Sequence, residues 1–314
     1  MMTTLIADIE LTLLDRIAQS LGWHGYELAS LLSVLLVSGV CGMVGSLVVG
    51  NRMAFFSDAM SHCAFAGISL GLVIAFLSGF RADSEEIEWI VPLVMSGFGV
   101  MVGLGIAFVR HQTGLASDTV IGVFFAGSIG LGAMMLTAFQ DRRVFDPEKF
   151  LFGSPILVRE SDLALLVIVT LLTMASLFFR YNQFLLASVN PSLAKSRGIS
   201  VELNNYLFIV LLALIVNFSI CAVGVLLINA MLVLPAATAS NMAKSMRQMF
   251  RLTVGLSLFT GWIGLLVSQT MRIELGPGGP RKFGVSGTII CLGVVCFAVS
   301  LVFPYMKRRF GHLG

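Results

Sequence analysis

Charge is what this sequence is short of. Of its 314 residues only 12% are Asp, Glu, Lys or Arg, whereas 57% are hydrophobic. A soluble domain carries roughly 25% charged residues, and a soluble core could not absorb so much apolar side chain without leaving large sticky patches. A bilayer can. The net charge of +3 is too small to point to nucleic acid. Lysine is scarce: Lys149, Lys195, Lys244, Lys282 and Lys307 are all there are, and none follows a glycine. A nucleotide-binding P-loop needs Gly-Lys followed by Ser or Thr, so any ATP hydrolysis is expected from a separate chain. HExxH and Ser-His-Asp arrangements are also missing, which argues against a membrane hydrolase and for a non-enzymatic subunit. The cysteines, Cys41, Cys63, Cys221, Cys291 and Cys296, form no CxxC pair and all fall in apolar runs. A zinc knuckle and a redox motif are therefore excluded; these are small buried hydrophobes, and no permanently bound cofactor is expected. Finally, the N-terminus lacks the basic region of a signal peptide, having Asp8, Glu10 and Asp15 instead. Leu5, Ile9, Leu13, Ile17 and Leu21 recur every fourth residue. Residues 1–27 read either as an amphipathic helix lying in the membrane interface or as a short helix packed on a bundle.

What the sequence does have is long uncharged runs. A membrane-spanning helix needs about 20 apolar residues, and 28–50, 53–80, 89–109, 119–139, 163–179, 252–271 and 283–306 each supply them. From Leu203 to Ala243 there is no charge at all, which is too long for one span. Asn217, Gly224, Asn229 and Pro235 lie inside this run, and any of them could break it. The run reads as one full helix followed by a broken or re-entrant element, tolerable at depth only where protein or a cavity covers the backbone. The expected fold is all-α: a polytopic membrane bundle of about eight or nine segments. Gly67 with Gly71 and Gly99 with Gly103 sit at helical spacing, which lets neighbouring membrane helices approach closely.

Lys and Arg set the expected orientation. Arg52, Arg110 beside His111, Arg180 with Lys195 and Arg197, Lys244 with Arg247 and Arg251, and Lys307-Arg308-Arg309 read as cytoplasmic. The acidic stretch with Asp83, Glu85, Glu86 and Glu88 reads as external, as does 140–162. The pattern holds if 203–243 returns to the side on which it began, with the N-terminus outside and the C-terminus in the cytoplasm. Arg272, Arg281 and Lys282 fall against it.

Asp58 and His62 stand out chemically. Four residues apart within the second run, they share a helix face. Ionisable groups inside a membrane are expensive and mark a pathway or a partner. A carboxylate with an imidazole suits Zn²⁺, Mn²⁺ or Fe²⁺; the plainer alternative is an internal Asp–His bond that clamps helices. Asp118, after Ser117 at the start of the fourth run, either lines a pathway or caps its helix. Asn217 and Asn229 read as interhelical glue. The segment PAATASNMAKSMRQMFR at 235–251 leaves the membrane through Pro235 and is expected to form a short amphipathic helix. It puts Met242, Met246, Met249 and Phe250 among Lys244, Arg247 and Arg251. Such a helix either docks in a partner's groove or is an interfacial connector.

The run RMAFFSDAMSHCAFAGISLG at 52–71 resembles the second-span signature of the ABC-3 metal permease family. Three further stretches match in order: ASDTVIGVFFAGSIGLG at 116–132, FLFGSPILVRESDL at 150–163, and VNPSLAKSRGI at 189–199 followed by VGVLLINAMLVLPAATA at 223–239. The resemblance runs from about residue 28 to the end, and four ordered motifs make it specific. It implies a type II ABC importer permease in a bacterial plasma membrane, pairing with a second permease copy or a close paralogue. The partners it implies are a cytoplasmic ABC ATPase dimer and an extracytoplasmic metal-binding protein. The transported ion would be zinc, manganese or iron(II). Asp58 and His62 match the family's Asp and His and would meet the metal transiently. Pro235, Asn241, Met242, Lys244, Met246 and Arg247, within 235–250, would contact the ATPase. Ser57 stands for the usual Gly, Cys63 for Ala, and Ser154-Pro155 for the Asp after LFG, which removes a carboxylate from the outer side. Two other classes are compatible with the residues themselves: an ATPase-independent, proton-coupled metal carrier using the same pair, and a structural membrane subunit in which the pair affects stability but not flux.

Overall fold

The computed structural model describes residues 25–51, 53–80, 85–137, 153, 160–274 and 280–310. The expectations for the N-terminal amphipathic segment, for Arg52 and for Ser154-Pro155 lie outside them. The long helices among the described residues are α1 (Gly25–Gly50), α2 (Ala54–Leu77), α3 (Glu85–Thr113), α4 (Ser117–Thr137), α5 (Glu160–Val189), α7 (Val201–Val223), α8 (Val225–Met242), α9 (Met246–Thr270) and α10 (Val285–Phe310). A short α6 (Pro191–Ser196) joins α5 to α7, and β1 (Arg272–Glu274) pairs antiparallel with β2 (Pro280–Lys282) between α9 and α10. Apart from that small ribbon the described chain is helical, as expected. Helix is the only open-ended way to satisfy every backbone N–H and C=O without water. Among the described residues nine helices are long and apolar enough to cross a membrane.

The uncharged run 203–243 contains two of them. The break falls at Gly224, whose φ of 89° and ψ of 161° lie in a region open essentially to glycine alone. Pro235 does not end a helix, contrary to the expectation that the chain leaves the membrane there. It lies buried inside α8, and Pro is tolerated within a membrane helix when neighbours absorb the freed carbonyl.

Two compact units form, one containing α1, α8, α9, the ribbon and α10, the other containing α2, α3, α4, α6 and most of α5 and α7. In the first, α1 lies against α8 and α9. A Cβ on Gly42 would come 2.9 Å from Val254 Cα, and one on Gly45 2.6 Å from Leu232 O, so only glycine allows these approaches. Ser257 Oγ on α9 donates to Ser38 O on α1 at 2.6 Å.

In the second unit the glycine pairs expected to mark close packing do so. Gly67 and Gly71 of α2 face Met95 and Val91 of α3; Gly99 and Gly103, on another face of α3, meet Asn217 and Ile209 of α7. Asn217 is fully buried. Its Nδ2 donates to Ala213 O of its own helix at 2.9 Å, so it joins α7 to α3 by packing on Gly99. The core of this unit is formed by Phe56, Met60, Met95, Ile106, Leu212 and Ile215, all under 2% exposed.

Candidate functional site: an Asp–His stripe on the second span

Helix α2 buries most of its surface. Phe56, Ser57, Ala59, Met60, Ser61, Cys63, Ala64, Ala66 and Gly67 are all buried, leaving a narrow open stripe through Phe55, Asp58 and His62. The i, i+4 spacing puts Asp58 and His62 on that stripe one turn apart. Their side chains are 51% and 35% exposed, and His62 Nε2 stands 4.0 Å from Asp58 Oδ1. That is beyond hydrogen-bonding range, so the two groups do not clamp each other. Neighbouring ligands on a tetrahedral ion at about 2.0–2.1 Å are roughly 3.4 Å apart. A small closure of the pair would thus bring both onto one ion. Two ligands are too few, however. Among the described residues no three His, Cys, Asp or Glu gather in a metal-binding group, and a divalent ion takes at least four ligands.

Helix α4 packs beside α2 in a parallel register. Phe125 meets the His62 ring, with centroids 4.7 Å apart and planes at 81°. Cys63 Sγ and Ser128 Oγ share a 3.0 Å hydrogen bond. Gly132 sits against Phe65 and Ala66. Continuing that register backwards puts Asp118 roughly one turn, about 5 Å, nearer the helix starts than Asp58. Asp118 is exposed and lies in the first turn of α4. The first backbone bonds of the helix go to Ala116 O, so Ala116 holds the capping position and the expected Asp118 cap is not formed. Its carboxylate instead faces the positive end of the helix dipole.

The segment 235–251 is not the short helix expected. It is the end of α8, an extended turn at Ala243-Lys244-Ser245, and the start of the 25-residue α9. The turn is set locally. Ser245 Oγ accepts from Gln248 N at 3.3 Å, and Gln248 Oε1 accepts from Lys244 N at 2.9 Å, a variant of the capping box. The Ser-x-x-Gln spacing carried that signal in the sequence. Of the six residues expected to meet an ATPase, Met242, Lys244, Met246 and Arg247 are exposed. Pro235 is buried, and Asn241 points sideways, donating from Nδ2 to Ser300 Oγ of α10 at 3.0 Å. A second exposed basic element, within the 189–199 stretch, is α6, started by Pro191 and capped by Asn190 Oδ1, which accepts from Leu193 N at 3.0 Å. Leu193, Lys195 and Arg197 are exposed around it. Glu202, which follows α6 at the start of α7, has its Oε1 3.1 Å from His111 Nε2 at the end of α3.

A charged stripe on a membrane helix, open in the single chain, is matched by kinship. The family model described as the ABC 3 transport family matches residues 26–302. The chain belongs to that family. It is 27% identical over 286 residues to the manganese transport system membrane protein MntC of Listeria innocua, covering 91% of this chain and 95% of that one. It is 25% identical over 280 residues to the high-affinity zinc uptake system membrane protein ZnuB of Haemophilus influenzae, covering 89% and 97%. Among solved structures, PsaBC from Streptococcus pneumoniae in complex with Fab superimposes with a TM-score of 0.68 at 25% identity, over 87% of this chain and 90% of that one. The ABC 3 membership thus extends over the Asp–His stripe, the Gly224 break and both exposed basic elements.

Proposed function

We propose that this chain is the membrane permease subunit of an ATP-binding-cassette importer for a divalent metal ion, and that Asp58 and His62 are its pathway ligands. The observation that carries this is the open Asp–His stripe on a membrane helix of an ABC 3 family member. A carboxylate and an imidazole 51% and 35% exposed would be costly against hydrocarbon, which favours a protein surface over the stripe. A second permease copy supplies it most economically. Two Asp–His pairs facing across a twofold axis supply four ligands, the minimum a divalent ion needs. Affinity there is modest, because a tight site would trap the ion it must release.

In this scheme an extracytoplasmic protein delivers the metal and a pair of cytoplasmic ATPases drives alternating access. The chain itself hydrolyses nothing. The N-terminus lies outside and the C-terminus inside. Among the described residues the candidate spans number nine, and an odd count favours opposite sides for the two ends. The ATPase meets the exposed Met242, Lys244, Met246 and Arg247. The exposed helix α6 favours a second contact, because Leu193 with Lys195 and Arg197 offers the same mix of apolar and basic groups. Oxygen and imidazole donors accept zinc, manganese and iron(II) alike, so the metal is defined by transport.

The test is metal uptake by cells expressing the chain with its ATPase, comparing wild type, Asp58→Ala and His62→Ala at matched membrane abundance. Loss of uptake for one metal in both variants supports the pathway role and names the substrate. Uptake that continues without any ATPase would instead identify a secondary carrier. Unchanged uptake in both variants would reduce the pair to packing.

A further inference from the structure

We infer that the cavity between the facing ends of α9 and α10 seats an acyl chain of an anionic phospholipid, whose headgroup is held by the basic β1–β2 ribbon. The inference concerns one flank of the first compact unit and does not depend on the metal path.

Helices α9 and α10 meet at Gly264. A Cβ there would come 2.8 Å from Ile289 Cα, so the two backbones are in contact at that level. Nearer the ribbon they enclose a cavity of about 570 Å³, within the roughly 300–1,000 Å³ of small-ligand sites. Val267 and Met271, one and two turns beyond Gly264 on α9, line it together with Phe283, Val285 and Cys291. The lining is predominantly apolar. The Thr288 hydroxyl, also at the wall, donates back to Gly284 O at 2.9 Å. Ser268 Oγ of α9 donates to Phe283 O at 2.7 Å, which ties α9 to the chain entering α10. The cavity is therefore part of the fold rather than a gap between loose ends.

The chemistry changes at the ribbon. One candidate span ends at Thr270 and the next begins at Val285, so the ribbon between them lies at a membrane surface. Met271 and Phe283 flank it and are both exposed. Next to them in the chain are Arg272 and Lys282, which pair directly across the ribbon. The Cα of each is thus about 3.8 Å from that of a cavity-lining residue. Arg281 follows opposite Ile273, and Glu274 is the one acidic residue in the two strands. Like charges at directly opposed positions weaken an antiparallel pair, so this ribbon gains from an anion. These three cations are also the ones that run against the orientation set by every other Lys and Arg cluster. An anionic ligand gives them a use that membrane insertion does not.

A lipid fits both halves. Beyond the cavity the apolar surface continues at span depth, with Leu266 of α9 and Val294 and Val295 of α10 exposed. A soluble anion would use the cations and leave the cavity unfilled. A soluble apolar ligand would have no need of the cations. An anionic phospholipid places charge at the surface and hydrocarbon beneath it, and the two weak attractions add.

The experiment is native mass spectrometry of the full-length permease, purified in detergent, delipidated, and titrated with phosphatidylglycerol or phosphatidylcholine bearing identical chains. Wild type should bind the first phosphatidylglycerol more tightly than phosphatidylcholine, by about fivefold per engaged Lys or Arg. Arg272→Gln combined with Lys282→Gln should weaken phosphatidylglycerol about 25-fold and leave phosphatidylcholine within about twofold. Gly287 lines the cavity, and a Cβ on it meets nothing within 4 Å. Gly287→Phe should therefore fill the space without a clash and weaken both lipids; excluding only two methylenes corresponds to roughly tenfold. Gly97→Phe on α3, where a Cβ also meets nothing within 4 Å, should change neither. Should Gly287→Phe fail to reach the membrane, Cys291→Phe takes its place. Equal phosphatidylglycerol affinity in wild type and the double Gln variant overturns the inference and leaves the ribbon to a docking protein. Undiminished affinity in the cavity-filling variant overturns the chain seat. Displacement of the lipid by an equal concentration of glycerol phosphate overturns it as well, because the site would then recognise the anion alone.

Discussion

Replacing Gly67 by Ala should loosen the helix pair that presents the Asp–His stripe. Gly67 lies on the buried side of α2, facing α3. A Cβ there would come 2.7 Å from Met95 Cα and 3.2 Å from Met95 O. Both atoms are backbone, so no side-chain rotation relieves the contact, and an ordinary van der Waals distance of about 3.5–4.0 Å requires the helices to part by roughly 1 Å. Overpacking of this kind costs about 1–3 kcal/mol. Removing a helical glycine returns about 1 kcal/mol, so the net loss is at most about 2 kcal/mol. Because α2 carries His62 five residues before Gly67, roughly 7.5 Å along the axis, the displacement also reaches the stripe. The assay is thermal unfolding of the purified permease in detergent, with Gly130→Ala on α4 as the control, since a Cβ there meets nothing within 4 Å. Gly67→Ala should lower the midpoint by a few degrees, at about 2–4 °C per kcal/mol, and Gly130→Ala should not. A Gly67→Ala midpoint raised as far as that of Gly130→Ala would refute the close approach of α2 to α3.

Other outcomes follow from the same geometry. Ser245→Ala removes the acceptor for Gln248 N and should cost about 1 kcal/mol of stability, as N-cap losses do, read as a lower unfolding midpoint. Asn241→Ala and Ser300→Ala both break the 3.0 Å bond joining α8 to α10; a double-mutant cycle should return a coupling of about 0.5–1.5 kcal/mol, and strict additivity would deny the bond. His111→Ala breaks a 3.1 Å pair with Glu202 whose side chains are about half exposed, so it should cost less than about 1 kcal/mol, shrinking further in high salt. Reversing charge at Lys195 and Arg197 should lower ATPase recruitment, measured by co-purification, if α6 is a docking element; unchanged co-purification would leave the 242–247 turn as the contact.

Much of this protein could be read directly from its residues. The span count was close, because hydrocarbon leaves helices as the only open-ended solution and fixes their length at about 20 residues. The glycine pairs 67/71 and 99/103 were legible for a related reason: a missing Cβ at helical spacing has little use except close approach. Asp58 and His62 were visible because ionisable groups are so rare inside apolar runs. The segment 235–251 folds differently from its expected short helix. Pro235 looked like an exit, yet the helix absorbs it, while the Ser-x-x-Gln signal ten residues later marked the actual turn. Of the two readings of Asp118 the cap is not formed, the capping position falling on Ala116 two residues earlier, because helix ends are the least determined part of a pattern.

The amino-acid order alone determined a polytopic helical membrane protein, its break-prone run at 203–243 and its Asp–His pair inside an apolar run. Those are one-dimensional properties, set by composition and period. Only the tertiary structure decided which side of α2 stays open, that Asp58 and His62 stand 4.0 Å apart rather than bonded, and that Phe125 meets the imidazole. A phenylalanine in an apolar helix is chemically indistinguishable from its neighbours until packing brings it against a particular ring. Contacts between residues 63 positions apart depend on how two helices dock, and no local pattern encodes that.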